Sequence, residues 1–178
     1  IGLSRIGRGA RLRPVGRTAP TIVGPEARIA RGDEVVEWWR SLPSGLEHGV
    51  TIGTRPSGDG ALVLELATSG GTRPEAVSDD DVALRTPNGE TLFHYTHLAV
   101  LDDAGRRLPA RLGVDDGRIR IEVDDAGARY PIVVDPLLFG AEEATLTTTV
   151  SNNLGRAVSM SADGSRVLVG ADAEFVAG

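Results

Sequence analysis

The chain has 178 residues, 40% of them hydrophobic, and a formal net charge of −6. That is apolar material for one core of ordinary size and part of a second unit. Cysteine is absent and all 19 basic side chains are Arg, which excludes a disulfide framework, a thiolate metal site, a thiol nucleophile, a Lys Schiff base and a phosphate-binding loop with its Lys. The 23 Gly and 10 Pro suit a protein with many turns. No run of about 18 apolar residues is present, so no membrane-spanning helix is expected. The chain opens at Ile1 without a charged, apolar and small-residue leader, which reads as a stretch of a longer protein.

Charge is uneven. Residues 1–31 hold seven Arg against one Glu, about +6 by formal counting, which leaves about −12 for the rest. Residues 1–9 read as a basic, solvated lead-in; no aromatic side chain is there to stack on a nucleic acid base. Residues 1–20 are weakly patterned, with short strands at Ala10 to Val15, Thr21 to Val23 and Ala27 to Arg31, and a turn at Gly32-Asp33. Val35 to Arg40 reads as a strand of β-branched and aromatic residues, with a short helix over Glu34 to Leu42 as the competitor. Its alternation puts Val36 and Trp38 on one face and Glu37 and Trp39 on the other, so at least one Trp belongs to the core. After a turn at Leu42 to Gly45, Leu46 to Arg55 reads as a strand with Leu46, His48, Val50 and Ile52 in phase. A turn at residues 56–60 leads into Ala61 to Ala67. Thr68 to Glu75 reads as a loop, Val82 to Arg85 as a short strand, and Pro87-Asn88-Gly89 as a hairpin turn into Thr91 to Tyr95.

Residues 97–139 carry the clearest pattern. Asp102 to Gly105, Asp115 to Gly117 and Asp124 to Gly127 are turn signals, in which Asp bonds the local backbone and Gly takes positive φ. Between them Ile119, Ile121 and Val123 alternate with Arg118, Arg120 and Glu122, the period of a half-buried strand. The prediction is an up-and-down antiparallel run ending at Tyr130 to Pro136. Leu137 to Glu143 reads as a linker. Residues 144–150 form a β-prone run, 151–153 a turn, and 154–171 a strand, an Asp163-Gly164 turn and a strand.

That last pattern, Gly155, Val158, Ser161, Asp163, Gly164, Val169, Gly170 and Ala171, resembles the opening of an FG-GAP-type, integrin-α-like β-propeller blade. The upstream segment resembles the β-rich domain that precedes such repeats in large secreted or cell-surface bacterial proteins. It does so at Glu37-Trp38-Trp39, Gly45 to Thr51, Arg55-Pro56, Asp102 to Arg106, Leu108 to Arg111 and Tyr130 to Pro136. The resemblance implies an all-β protein: an antiparallel β-sandwich-like domain over residues 10–138, then a linker and a truncated propeller hairpin over 139–178. It implies a non-enzymatic scaffold or adhesion-like module, extracellular or at the cell surface, whose partners are its own propeller and a protein or glycan ligand. Nucleic acid and membrane insertion are not expected. It supplies no catalytic, cofactor or metal residues. In blades of this type calcium can sit in an Asp-rich loop, so the resemblance allows calcium in blades outside this chain; here Asp163-Gly164 is a plain turn and Asp172 to Glu174 offers fewer than the six to eight oxygens calcium takes.

The remaining candidates have plainer explanations. On a strand, His94 and His97 point to opposite faces and do not chelate. His48, in phase with a core face, is expected to be a hydrogen-bonded, buried histidine. Asp79 to Asp81 and the paired Asp residues of the turns invite calcium or a glycosidase pair, but turn capping explains them. No G-x-S-x-G elbow occurs. A carbohydrate-binding module with Trp38, Trp39 and Tyr95 as platforms is the main rival, and a hydrolase accessory domain the next.

Overall fold

The structure, a computed structural model, describes residues 1–32, 34–42, 45–140, 157–160 and 167–170. The expected features at 144–150, 151–153, Asp163-Gly164 and Asp172 to Glu174 lie outside the described residues, as do Asp33 and the middle of the turn after Leu42. The chain divides into two compact units, Ile1–Ala141 and Glu142–Gly178.

The first unit is all-β, with no helix among the described residues. Its strands are β1 (Gly2–Arg8), β2 (Arg11–Pro14), β3 (Thr21–Val23), β4 (Glu26–Gly32), β5 (Val35–Leu42), β6 (Gly45–Ile52), β7 (Leu62–Ala67), β8 (Arg73–Ser78), β9 (Asp81–Arg85), β10 (Thr91–Leu101), β11 (Ala110–Asp115), β12 (Arg118–Val123) and β13 (Ile132–Gly140). They form two antiparallel sheets. One has five strands in the order β11-β12-β7-β1-β2, and the other eight in the order β3-β4-β5-β6-β13-β10-β9-β8.

Both sheets feed one hydrophobic core. Leu3 and Ile6, the Leu62, Leu64 and Leu66 row and the Ile119, Ile121 and Val123 row come from the five-stranded sheet. Val50, Ile52, Val82, Leu84, Tyr95, Ile132 and Val134 come from the other. Each row is the inward half of a period-two alternation, which is why β7 and β12 are strands. The sheets are also tied by backbone: Leu112 N–H donates to the Asp79 carbonyl at 3.2 Å, and Gly16 N–H to the Arg31 carbonyl at 3.1 Å.

Several expectations need correction. Residues 1–9 are no solvated lead-in: β1 is an interior strand, paired with β2 on one side and β7 on the other. Its apolar residues, Leu3 and Ile6, fall out of period because the ladder to β7 shifts register between Leu3 and Arg5. Thr68 to Glu75 is not wholly loop, since β8 begins at Arg73; that strand is an exposed edge with Pro74 in it, and so has no inward apolar row to read. Leu137 to Gly140 is strand rather than linker, because β13 stays paired with β10 as far as Phe93↔Gly140. The strand expected at Val35 to Arg40 is present as β5, Val35–Leu42, in place of the competing helix.

The second unit contains β14 (Ala157–Met160) and β15 (Val167–Gly170), an antiparallel pair running from Ala157↔Gly170 to Met160↔Val167. Two strands were the expectation within residues 154–171, and these are the two; the turn expected between them lies outside the described residues.

Candidate functional site

Three groups of polar side chains in the first unit could carry function. The first lies inside the core. Glu37 occupies an inward position on β5, His48 is its near neighbour on β6, and Tyr95 comes from β10; all three are 0% exposed. The His48 Nε2 is 2.9 Å from Glu37 Oε1, and its Nδ1 is 2.5 Å from the Tyr95 hydroxyl. Glu37 also accepts from Leu3 N–H at 3.0 Å and from Arg31 Nε at 2.6 Å. Burial pushes the Glu37 carboxyl up, but His48, Leu3 and Arg31 outweigh it and hold it below its ordinary range. Burial lowers the His48 imidazole despite Glu37. The pair is therefore a neutral imidazole on a carboxylate neutralised by Arg31. Nε2–H donates to Glu37, and Nδ1 accepts the Tyr95 O–H, whose own proton is held by burial and by the charges of Glu37 and Asp135. The constellation has the order of an acid–base relay. Every member is fully buried, and the chain of bonds ties strands β5, β6 and β10 together. The expectation of a hydrogen-bonded His48 agrees with this; its two partners were not foreseen.

The second group anchors the loop between β6 and β7. Arg8, 2% exposed, forms a two-pronged ion pair with Asp125: NH1 to Oδ1 is 2.9 Å, and NH2 contacts Oδ2. The Tyr130 hydroxyl donates to Asp125 Oδ2 at 2.6 Å. Arg8 spends its other donors on the carbonyls of Pro56 and Gly60, each at 2.8 Å. Burial raises the Asp125 carboxyl, yet Arg8 and Tyr130 bring it below its usual value. Asp125 is thus more than turn punctuation. Asp102 and Asp124 do cap their turns, Asp102 accepting from Ala104 and Arg106 N–H at 3.0 and 2.9 Å and Asp124 from Ala126 N–H at 3.1 Å.

The third group lies on the outer face of the eight-stranded sheet. Trp38 is flat against β6: a Cβ on Gly49 would sit 1.9 Å from its ring. Its Nε1–H donates to Thr51 Oγ1 at 3.2 Å. Arg40 lies 5.4 Å over the ring and bridges Glu26, at 2.5 Å, and Glu47, at 2.9 Å. Hydrogen bonds from Arg40 and Arg28 lower Glu26. Nearby Asp135 is pushed up to about 6, by burial and then by the Glu47 charge, with Arg40 opposing. A groove of about 370 Å³ runs beside this cluster, lined by Glu26, Arg28, Val36, Trp38, Thr51 and Val133.

As for the other candidates, Trp38 is 8% exposed and Tyr95 is in the core, so neither offers an open ring. Trp39 is half-buried and stacks on His48 with centroids 4.1 Å apart. His94 and His97 do not diverge. A bulge between Thr96 and Ala99, with His97 at φ 56°, breaks the alternation, and both rings approach Phe139, at 5.5 and 6.2 Å. Asp79 to Asp81 separate: Asp79 uses its carbonyl on Leu112, Asp80 bonds the Ser78 hydroxyl at 2.7 Å, and Asp81 bonds His94 at 3.0 Å. No group of three His, Cys, Asp or Glu able to hold a metal occurs among the described residues. No family model, no curated protein and no solved structure matches the chain.

Proposed function

We propose that the chain is a non-catalytic structural or interaction module of a secreted or cell-surface protein, a β-sandwich-like domain leading into propeller-type repeats. The observation that carries the reading is the burial of Glu37, His48 and Tyr95 at 0% exposure. The side chains best arranged for proton transfer are used as internal struts. Two sheets closed over one core make a platform, and the ion-paired cluster of Glu26, Arg28 and Arg40 on its outer face, with Arg28 exposed, supplies charge for a contact. A shape-and-charge contact of this kind needs no bond chemistry. The test is a hydrolase screen of the purified chain with chromogenic glycosides and esters. Turnover that disappears in His48→Gln or in any single carboxylate variant overturns the proposal.

A second reading is favoured by the groove beside Trp38: its two valines, one indole edge, a hydroxyl, a carboxylate and a guanidinium suit the mixed apolar and polar surface of a sugar. Trp38→Phe would then lose signal on a glycan array that the parent chain gives. An array on which the parent chain is blank rejects this reading and leaves the first standing.

A further inference from the structure

The outer face of the eight-stranded sheet distributes its charge unevenly, and the strand register fixes the distribution. Arg28 of β4 is opposite Trp38 of β5, and Trp38 is opposite Gly49 of β6. Carried on between Val134↔Val50 and Leu137↔Glu47, the register places Asp135 of β13 next in that row. The row on one side of it runs Glu26, Arg40, Glu47 and Leu137, and the row on the other Ala30, Val36, Thr51 and Val133. The alternate residues, among them Val50, Ile52 and Val134, face the core. We propose that this face pairs with the same face of a second copy of the chain, about a two-fold axis running along the strands between β5 and β6, so that Arg28 of each copy meets Asp135 of the other. The pairing rests on the interaction-module reading and supplies its partner.

The β4 end of the face is positive and the β13 end negative. Glu26 answers two guanidinium groups at once, Arg28 at 2.7 Å and Arg40 at 2.5 Å, and the Arg28 side chain is 47% exposed. Arg40 is shared in turn with Glu47, at 2.9 Å. The Asp135 carboxyl has no hydrogen bond or ion pair among the described residues; Glu47 repels it, and Arg40 acts on it only from a distance. A half-buried carboxylate without a cation of its own is costly, and one supplied by a neighbour relieves it.

A two-fold contact requires each residue to find its complement equally far across the axis. Arg28 lies on the second strand to one side of the axis and Asp135 on the second strand to the other, so the rotation lays each over the other. Arg40 and Glu47, on the first strand to either side, exchange in the same way. In the apolar row Val36 meets Thr51, and Ala30 meets Val133. Within these three rows no carboxylate is laid on a carboxylate and no guanidinium on a guanidinium. Packed sheets lie about 10 Å apart and cross at about 30°, a gap that a guanidinium from one sheet and a carboxylate from the other close between them. A sugar in the groove beside Trp38 would cover the same surface without this exchange of charge.

The experiment is sedimentation equilibrium of the full chain up to about 0.5 mM, where a contact of modest area is populated. Expected is a reversible monomer–dimer equilibrium that added salt weakens. Asp135→Asn and Arg28→Gln should each raise the dissociation constant about fivefold, the worth of two exposed ion pairs. Arg28→Glu alone and Asp135→Arg alone should stay monomeric, and an equal mixture of the two should dimerise, because every contact across the axis then joins unlike charges again. Tryptophan emission matching the parent chain identifies the variants that are folded. A monomeric parent chain, with or without glycan binding, overturns the pairing and leaves the interaction-module reading, which turns on the hydrolase screen, standing. A dimer that Asp135→Asn and Arg28→Gln leave untouched, or folded charge-reversed variants whose mixture stays monomeric, overturns the pairing as well.

Discussion

Asp135→Asn should stabilise the first unit, and only above a defined pH. The Asp135 carboxyl sits on the outer face of β13, half-buried, with Glu47 beside it and Arg40 only partly compensating. Its folded-state value of about 6 lies above the 3.8 of the free group. Between those values the folded chain binds more protons than the unfolded one, so stability falls as pH rises through the window and is level above it. At about 1.4 kcal/mol per tenfold change, the full difference corresponds to about 3 kcal/mol. Solvent reaches this side chain and screens it, so about 1 kcal/mol is the expected cost in practice. Asparagine keeps the shape and removes the charge. Urea denaturation of both proteins from pH 3.5 to 8 should give equal stabilities at the acid end. A gap should open through pH 4 to 6, and the variant should be ahead by about 1 kcal/mol at pH 8. Parallel curves, or a variant weaker than its parent at pH 8, would refute the assignment of Asp135 as an unfavourably buried charge.

Two further outcomes follow from the other clusters. Arg8→Met leaves the Asp125 carboxylate buried without its fork and should cost about 3–5 kcal/mol in chemical denaturation. Arg8→Lys should recover little, because a single ammonium cannot hold both Asp125 oxygens and two carbonyls. Gly49→Ala should lift Trp38 off β6, costing about 1–3 kcal/mol and shifting the tryptophan emission to the red; unchanged emission would contradict the flat placement of the ring.

The sequence made the five-stranded sheet's β12 and β7 legible because their alternation is clean and both sit in the sheet interior. It concealed β1, whose apolar spacing is broken by a register shift and whose last inward side chain is Arg8, a residue that reads as surface. It concealed β8 for the opposite reason: an exposed edge strand has no apolar row. Glu37 was placed on a face shared with Trp39, which is where it lies, but its charge gave no sign that this face is the core. Arg31, Leu3 and His48, which make its burial tolerable, are contributed by other strands, and pairing across strands is not written in local pattern. The His94–His97 spacing misled because strand logic holds only while the ladder is regular. The bulge that resets it is a property of β10 against β13.

The strand order of the larger sheet has a consequence for how the chain acquires its structure. Strands β3 to β6 follow one another in space as in sequence, and so do β8 to β10. The two blocks meet only through β13, which pairs with β6 on one side and β10 on the other. During synthesis the blocks must wait, each with an unsatisfied inner edge, until residues 132–140 have left the ribosome. Closure then depends on contacts between segments distant in sequence, and such contacts form slowly. β13 is the keystone, and the interval before it arrives is when this chain is most open to pairing with the wrong neighbour.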